Sequence, residues 1–373
     1  MKFTIVREEL LKGLNIAARA VASKSPIPIF NNLKIELNET GLFITGSNND
    51  VTILTMIPYS KDGKEIIRNY KEGATLINAK ILTEIIRKVD SPEMTIDVVD
   101  STVALISGNR SEFKLNCIRA EEYPDVDIQG VGSTLSLSRD EFSTLVNQTA
   151  FAASLKEQRP ILMALNLEAS AGKLTATATD SARMARKTID IDSNINFVTN
   201  IPAKMMIEII HISEGVDKIS LTVSDKRAVF SFARTTVSTR LLSGDYPNTK
   251  NIVPRTLNYV LQVNAADLVK AIERVSLLSI ERENVVNLSM GKNKIEVSSK
   301  SSQIGSASEK IEMFHYEGGD LEVGFNNEFV LSAIRALGST DVTLAFVGEM
   351  KPFVVRNDLD DSVIQVVTPV RMF

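Results

Sequence analysis

Residues 3–22 read FTIVREELLKGLNIAARAVA, and this stretch sets the pattern for the whole chain. Its apolar residues alternate at first and then recur every three or four positions, as Leu10 and Leu14 do, which predicts a strand that runs into a helix. The pattern returns as LSLSRDEFSTLVNQTAFAAS at residues 135–154 and as YVLQVNAADLVKAIERVSLLS at residues 259–279. The chain is therefore predicted to contain three repeated units.

A second helix-forming segment also occurs three times. Lys80, Lys204 and Glu328 lie 124 residues apart in LINAKILTEIIRKV, NIPAKMMIEIIHIS and VGFNNEFVLSAIRAL. Each unit thus combines two helices with several short strands and frequent turn signals, which is typical of an α+β domain. Glycine and proline cluster near residues 127–132 and 253–257. The predicted domains are therefore residues 1–128, 129–253 and 254–373.

The composition argues against secretion and against a membrane-spanning segment. The 373 residues carry a net charge of -4, with 44% hydrophobic and 24% charged residues, as is ordinary for a globular protein. No apolar run reaches the roughly 18 residues of a membrane-spanning helix, and the charged N-terminus lacks the apolar core of a signal peptide. Cys117 is the single cysteine, so no intrachain disulfide can form. We therefore expect a cytoplasmic protein.

The sequence contains no group of residues with the spacing of a catalytic or metal site. The two histidines, His211 and His315, have no second histidine or cysteine at ligand spacing. No phosphate-binding loop, nucleophile elbow or dinucleotide fingerprint is present. Carboxylates do cluster at residues 97–100 and 358–361, but these stretches look like strand ends and turns, where aspartate is common. The sequence therefore predicts a binding or structural protein, not an enzyme, with no cofactor or metal.

Several segments together resemble the bacterial DNA sliding-clamp family, the beta subunits of DNA polymerase III. They are MKFTI with REELLKGL, PIPIFNNLKIEL, GATLINAKILTEIIRKV, ATDSARMA, LLSGDYPNTKNIVP, LEVGFNNEFVLSAIRAL and the C-terminal VVTPVRMF. The resemblance covers the whole chain and implies three clamp domains per chain. It also implies a homodimer closed head to tail into a ring, with helices inside and sheets outside. Such a ring is a DNA polymerase processivity factor that encircles duplex DNA without sequence specificity.

The resemblance further implies which residues approach the DNA. They are Lys24, Lys80, Arg87, Lys156 and Lys204. The six helical segments of the repeats carry a net charge of +2, which leaves -6 for the rest of the chain. This sign suits a ring lining that attracts phosphates without reading base sequence.

A second implied site is a pocket between the second and third domains. It binds Q-x-L-x-F-type peptide motifs of the replicative polymerase, the clamp loader and repair proteins. The matched positions are Leu162, Thr179, Asp180, Arg183, Met184, Pro247, Ile252, Asn326, Phe329, Met350, Val366, Val367, Thr368, Pro369, Val370, Arg371 and Met372. This chain departs from the family pattern at Ser181 and Ala182, where members commonly carry a small residue and a histidine. That departure affects the peptide preference expected of the pocket.

The resemblance places the interface between the two chains at Ile85, Phe113 and Leu115 of the first domain, opposite Leu277 and Leu278 of the third. Two other functions stay open at this point. One is a metal-dependent nuclease or transferase built from scattered carboxylates. The other is a repeat-built scaffold that binds only proteins.

Overall fold

The computed structural model describes residues 1–21, 27–279 and 284–371. They form two compact units, the first of Met1–Arg139 with Glu208–Leu241, and the second of Asp140–Ile207 with Leu242–Phe373. The predicted α+β class is confirmed, because short helices pack on extended antiparallel sheets in both units.

The first unit contains a five-stranded, an eight-stranded and a two-stranded antiparallel sheet. In spatial order, the five-stranded sheet is β11 (Ser111–Asn116), β10 (Val103–Gly108), β9 (Glu93–Val99), β1 (Lys2–Val6) and β7 (Ile67–Lys71). The eight-stranded sheet is β12 (Ser133–Ser138), β17 (Lys218–Val223), β18 (Arg227–Phe232), β19 (Thr235–Arg240), β4 (Val51–Ile57), β3 (Gly41–Ser47), β2 (Asn32–Asn38) and β8 (Gly73–Asn78). The hairpin pairs β5 (Ser60–Lys61) with β6 (Lys64–Glu65).

Two helices of the first unit, α1 (Arg7–Ala17) and α2 (Ala79–Lys88), pack against each other. The apolar spacing seen in the sequence puts Leu10 and Leu14 of α1 in the core. Asn78 caps α2, because its side chain accepts a hydrogen bond from the Ile81 N–H, as an N-terminal asparagine commonly does.

The second unit contains a nine-stranded and a four-stranded antiparallel sheet. The nine-stranded sheet is β16 (Phe197–Pro202), β13 (Ala164–Ser170), β14 (Lys173–Thr179), β15 (Arg183–Asp190), β28 (Asp360–Val367), β27 (Phe353–Asn357), β26 (Asp341–Phe346), β20 (Tyr259–Asn264) and β24 (Phe314–Glu317). The four-stranded sheet is β23 (Gly305–Ile311), β22 (Lys294–Ser301), β21 (Val285–Gly291) and β25 (Leu321–Asn326).

The remaining helices follow the sequence pattern closely. They are α3 (Arg139–Asn147), α4 (Ala203–Ile212), α5 (Ala265–Ser276) and α6 (Asn327–Leu337). Asn264 and Asn326 cap α5 and α6 with their side-chain oxygens. Gly338 ends α6 in the left-handed conformation, with φ of 64°, which glycine adopts without steric cost.

One turn recurs at the same place in every repeat. Asn48 Oδ1 accepts hydrogen bonds from the N–H groups of Asp50 and Val51. Asp180 Oδ1 accepts the same two bonds from Ala182 and Arg183, and Ser301 Oγ accepts them from Gln303 and Ile304. These side chains satisfy backbone donors that the turn leaves without a partner. The turn therefore gives a residue-level alignment of the three repeats.

The strand after this turn joins successive repeats. In the first repeat, β4 pairs with β19, with Val51 opposite Thr239. In the second repeat, β15 pairs with β28, with Arg183 opposite Val367. Each junction also has an equivalent backbone hydrogen bond. In the first, Arg240 N donates to Asp50 O, and in the second, Thr368 N donates to Ala182 O. One sheet thus runs through each junction.

An ion pair between a buried lysine and a partly exposed aspartate lies at the β15–β28 junction. The Lys187 ammonium, which is 8% exposed, lies 2.9 Å from an Asp360 carboxylate oxygen and donates to Ser362 Oγ at 2.6 Å. Burial on its own would raise the pKa of Asp360, but hydrogen bonds from Ser362 and Lys187 hold it below its ordinary value. Asp360 is therefore ionised at neutral pH and balances a lysine that has left water.

We predict that Asp360→Asn lowers the free energy of unfolding at pH 7 by about 1–2 kcal/mol, because it leaves the buried Lys187 without a counter-charge, and solvent screening at the partly exposed Asp360 keeps the cost below that of a fully buried pair. Because the pKa of Asp360 is lower in the folded state than in the unfolded state, its ionised carboxylate stabilises the folded protein at pH values above the unfolded-state pKa. This stabilisation is lost as the pH falls through the folded-state pKa. Urea unfolding should therefore show a difference from the unchanged chain that shrinks below about pH 4. A difference of constant size from pH 7 to about pH 3 would contradict the assignment, and Asp361→Asn is the matched control.

Candidate functional site

The turn between β14 and β15 forms the polar centre of the predicted peptide pocket. Thr179 Oγ1 donates to the Arg183 carbonyl at 2.6 Å, and Asp180 accepts the two backbone bonds described above. Ser181 adopts a left-handed conformation, with φ of 82°, which a non-glycine residue adopts at some cost. The turn is thus held in one conformation by its own side chains.

Arg183 lies in an unusually restrained position for a charged side chain. Its Nε donates to Asp180 Oδ2 at 3.0 Å, and the two side chains are 15% and 16% exposed. Its Cζ lies 4.5 Å from the ring centroid of Phe329 and 5.5 Å from that of Phe151. An ion pair and two cation–π contacts therefore fix the guanidinium.

The C-terminal segment continues from β28 past this turn. Val366 lies opposite Met184 in the sheet. Beyond the Thr368 bond to Ala182, Val370 N donates to the Gly324 carbonyl at 2.8 Å. Pro369 lies between these two bonds, where its lack of an N–H does no harm. The tail is thus anchored to β15 on one side and to β25 on the other.

Apolar side chains form the floor of the site. Met184, Val354 and Val366 make a small buried cluster, against which Val253 and Leu257 pack. Leu162 is also buried, on the short 3-10 helix Pro160–Met163. Pro247, Ile252 and Met350 are exposed instead, with Ile252 at 37% and Met350 at 47%. Buried floor and exposed apolar residues together suit an apolar ligand.

The start of α6 supplies the remaining predicted pocket positions. Asn326 Oδ1 accepts from the N–H groups of Glu328 and Phe329, which orients Phe329 toward Arg183. Arg371 is exposed at the end of the described tail. Met372 lies outside the described residues. The predicted pocket positions that are described all belong to the second compact unit.

Val367 differs from the buried pocket residues Met184 and Val366, which form a separate small cluster. It is completely buried and belongs to the main hydrophobic core beside Phe353 and Leu344. Shortening Val367 would therefore leave a core cavity and destabilise the fold. Ile252 and Met350 are better probes of the pocket, because their side chains are exposed.

Two contacts that shape the site are not predicted from the sequence. One is Phe151 beside Arg183. The other is Arg186, whose Nη2 donates to the Thr249 carbonyl at 3.1 Å and to Thr249 Oγ1 at 2.7 Å. Burial lowers the pKa of Arg186. It also raises the pKa of Tyr246, which lies with Thr249 on the segment that connects β19 to β20. These contacts hold residues 246–249 against the sheet, and with them Pro247.

The predicted DNA-contacting residues lie on the surface. Lys80 and Lys204 occupy the second position of α2 and of α4, and both are exposed, as is Lys156. None of these three forms an ion pair with any residue in the described ranges. Arg87 pairs with Glu84 and donates to Asn15 Oδ1 at 3.1 Å. Lys24 lies outside the described residues.

The predicted interface residues of the first domain line an open groove. Ile85 and Phe113 border this groove of about 700 Å³, together with Ile81 and Lys80. Leu115 is partly buried and, like Ile85 and Phe113, packs against the hydrophobic core of the first unit. In the second unit, Leu277 is 70% exposed just after α5, and Leu278 is half-buried. These apolar side chains remain without full burial in a single chain.

The carboxylates considered in the sequence take part in structural contacts. Asp97 pairs with Lys2, and Asp358 accepts hydrogen bonds from Gln262, Thr343 and Arg356. In residues 1–21, 27–279 and 284–371, no three His, Cys, Asp or Glu side chains converge in a way that would hold a metal ion. Within those same ranges, no helix is both long and apolar enough to cross a membrane.

Comparisons with known proteins agree along the whole chain. Family models described as the N-terminal, central and C-terminal domains of the DNA polymerase III beta subunit match residues 1–127, 136–248 and 250–371. The beta sliding clamp of Bacillus subtilis is 32% identical over 378 residues, with all of both chains covered.

Solved structures give the same result. The crystal structure of the DNA polymerase sliding clamp from Bacillus subtilis has a TM-score of 0.95 at 31% identity. That of the DNA polymerase III beta chain from Streptococcus pneumoniae has a TM-score of 0.95 at 27% identity, and each alignment covers both chains completely. The repeated α+β architecture, the continuous sheets at the junctions and these matches lead to one conclusion: the chain belongs to the DNA polymerase III beta subunit family, the beta sliding clamps.

Proposed function

We propose that two copies of this chain close into a ring around duplex DNA and tether the replicative polymerase as a non-catalytic subunit. Each copy supplies three domains, with boundaries near residues 128 and 253. The ring acts in the cytoplasm and also receives the clamp loader and repair proteins. The observation that carries this proposal is the pair of strand edges that the repeat leaves without partners.

The two edges are identified by comparing the strand that follows the recurrent turn in each of the three repeats. β4 and β15 are each paired with a strand of the next repeat, β19 and β28. The third equivalent strand, β23, lies at the edge of its sheet. The first-repeat counterpart of β19 is β11, which is also an edge strand. An exposed edge of unpaired backbone groups readily pairs with another strand. β23 of one copy therefore pairs with β11 of the other.

The repeat also supplies the register of that pairing. The recurrent turn aligns Val51 with Ile304, and the hairpins β18–β19 and β10–β11 align Arg240 with Asn116. Thr55 lies opposite Thr235 in the first junction, and their hydroxyls are 2.9 Å apart. The equivalent residues in the ring interface are Ser308 and Ser111. Two small hydroxyl residues are thus expected opposite each other.

The helices support the same interface. By the repeat alignment, Leu277 takes the place of Arg19, and Glu84 takes the place of Glu208. Arg19 and Glu208 form an ion pair within the first unit. The same alignment brings Leu277 next to Glu84 and Ile85 of the partner chain, where the open groove lies. The exposed leucine and the apolar groove would then be buried together.

DNA binding is proposed to come from the basic residues of the repeated helices. Lys80 and Lys204 are exposed and lack ion pairs within the described ranges, so each is available to a phosphate. We propose the same role for Lys24, Lys156 and Arg87. Because phosphate contacts carry no base information, the ring can slide.

We predict that Lys80→Ala with Lys204→Ala weakens DNA binding by the closed ring and lowers its salt dependence. Each lost phosphate contact reduces the slope of log K against log salt by about 0.9. The ring contains two copies of each lysine, so the double change removes up to four contacts and reduces the slope by up to about 3.6. Binding titrations between low and moderate salt measure this slope. Lys64→Ala, in the β5–β6 hairpin, is the matched control. An unchanged slope would remove both lysines from the DNA surface.

The peptide pocket is proposed to bind Q-x-L-x-F-type motifs. Its support is the buried apolar cluster of Met184 and Val366, together with the exposure of the predicted pocket residues Ile252 and Met350. Met350 is flexible and polarisable, which suits several partners. Ser181 and Ala182 lack the imidazole that other members present here, so polar contacts depend on the remaining residues.

The function is tested by topological retention on DNA. Protein loaded onto a nicked circular plasmid by a clamp loader should stay bound through gel filtration at high salt. Cutting the plasmid once should release it, because a ring slides off a free end. Equal retention on circular and linear DNA would contradict encirclement.

A further inference from the structure

We propose that a polar cleft on the nine-stranded sheet binds a small hydroxylated molecule through one carboxylate, which Arg186 holds. The cleft has a volume of about 760 Å³ and lies between strands β13–β16 and the connecting segment of residues 244–250. Among the described positions of the predicted peptide pocket, Pro247 borders this cleft and the others do not. The cleft is therefore a second, separate site.

The fold does not require the polar lining of the cleft, because the first repeat has apolar residues at the same positions. Thr175 lies opposite Thr188 just as Phe43 lies opposite Met56. The first repeat has Phe43, Leu54, Met56 and Leu76 where the second has Thr175, Arg186, Thr188 and Asn200. Leu76 is fully buried in an apolar cluster, so the first repeat fills this place with its own side chains. An open cleft with convergent polar groups points instead to a ligand.

Arg186 brings a positive charge without a counter-ion into the cleft. Its Nη2 donates to the carbonyl and the hydroxyl of Thr249, which are both neutral, and it forms no ion pair within the part of the chain that the structure describes. Burial lowers the pKa of Arg186, as expected of a charge that has partly left water. Its Nε and Nη1 carry three more N–H donors. An oxyanion supplies both the missing charge and the acceptors.

The charges at the border of the cleft favour one carboxylate over a phosphate. Glu168 and Asp245 are exposed there, as is Lys250. Together with Arg186 these residues carry no net charge, so the cleft can balance little negative charge beyond that of a single carboxylate. A doubly charged phosphate at Arg186 would also be repelled more strongly by Glu168.

Uncharged hydrogen-bonding groups favour hydroxyls on the rest of the ligand. Thr177 borders the cleft and is 5% exposed, and its hydroxyl has no partner among the described residues. The Asn166 side chain donates to Asn200 Oδ1 at 2.9 Å, which leaves its own Oδ1 as an acceptor. A hydroxyl both donates and accepts, so it can satisfy groups of either kind.

Calorimetric titration of the intact chain with gluconate, sorbitol and inorganic phosphate tests this assignment. Gluconate has a carboxylate on a hydroxylated chain, and sorbitol has an alcohol in its place. Gluconate should bind at least about tenfold more tightly than sorbitol, because only a carboxylate makes charge-assisted hydrogen bonds with Arg186. Phosphate, which lacks the hydroxylated chain, should bind more weakly than gluconate. In Arg186→Gln, gluconate and sorbitol should bind within about twofold of each other.

A second variant keeps the test decisive if Arg186→Gln fails to fold. Thr175→Phe introduces the residue of the first repeat and should block gluconate while Arg186 stays in place. Thr134→Phe is the matched control, because Thr134 pairs its hydroxyl with Thr222 at 3.0 Å outside the cleft, as Thr175 does with Thr188 at 2.9 Å. This control should bind gluconate normally.

Three results would overturn the proposal. The first is equal affinity of gluconate and sorbitol for the unchanged chain. The second is unchanged gluconate binding in Thr175→Phe, which would place the ligand elsewhere. The third is absence of gluconate binding by the unchanged chain.

Discussion

A chain carrying Leu277→Asp and Leu278→Asp is expected to sediment as a monomer at concentrations where the unchanged chain is a dimer. Leu277 is 70% exposed in the single chain, so a carboxylate there costs little in folding. In the closed ring, the same carboxylates would be buried against the apolar groove of Ile85 and Phe113, close to Glu84. Burial of unpaired charge costs several kcal/mol, so dimer affinity should fall by on the order of a thousandfold.

Sedimentation velocity across a range of concentrations measures this change. Leu359→Asp is the control, because Leu359 is 96% exposed at the tip of the β27–β28 hairpin and belongs to neither β11 nor β23. It should dimerise like the unchanged chain, and thermal melts should show both variants folded. A double variant that still sediments as a folded dimer would reject this interface.

Replacing Ile252 and Met350 with serine is expected to remove most of the affinity for Q-x-L-x-F-type peptides. The two side chains are exposed apolar members of the predicted pocket, whose buried members include Met184 and Val366. Truncation of a central apolar contact costs about 1–2 kcal/mol. The double change should therefore cost about 2–4 kcal/mol and raise the Kd about 30- to 700-fold, with little effect on folding.

Anisotropy titrations with a labelled peptide measure this loss. Met313→Ser removes an exposed apolar side chain between β23 and β24 of the same unit, outside the predicted pocket positions, and should leave the Kd unchanged. The ring variant Leu277→Asp with Leu278→Asp should also bind peptide normally, because the pocket is built within one chain. Full affinity in the Ile252 and Met350 double variant would place the peptide elsewhere.

The two junctions within the chain have equivalent strand pairing but different side chains, so they differ in the ligands that they can bind. In the first junction, the position of Met184 is taken by Thr52, whose hydroxyl is 2.9 Å from that of Ser47. Nearby, Phe30 packs edge-on against Tyr123, with ring centroids 5.7 Å apart. Paired buried hydroxyls and a filled apolar cluster leave no apolar floor there. A peptide pocket therefore needs the side chains of the second junction as well as its fold.

Much of the fold follows from the sequence because it depends on local spacing. The periodicity of Leu10 and Leu14 places α1, and asparagine at 78 and 326 begins α2 and α6 as an N-cap should. Pro202 lies at the same point of the second repeat, as the last residue of β16 directly before α4, which starts at Ala203. Proline has no side-chain acceptor and cannot cap a helix as asparagine does.

The parts that the sequence does not predict depend on contacts between distant segments. Nothing near Arg183 in the chain indicates Phe329, 146 positions away, as the ring beneath its guanidinium. The terminal position of Val367 suggests an exposed pocket residue, yet its place in β28 puts it in the core. The sequence also does not show which strands lie at a sheet edge. β11 and β23 are recognised as edge strands only when the strand order of each sheet is known.

Ring closure through β11 and β23 is the central claim, and a cysteine pair tests it most directly. Ser111→Cys with Ser308→Cys should form a disulfide between two chains on mild oxidation, because residues directly opposite in neighbouring strands lie within disulfide reach. Background reaction is low, since Cys117 is buried. Ser111→Cys with Ser306→Cys is offset by two residues and should not cross-link. Efficient covalent dimers of the first pair alone would support the claim, and equal cross-linking of both pairs, or of neither, would contradict it.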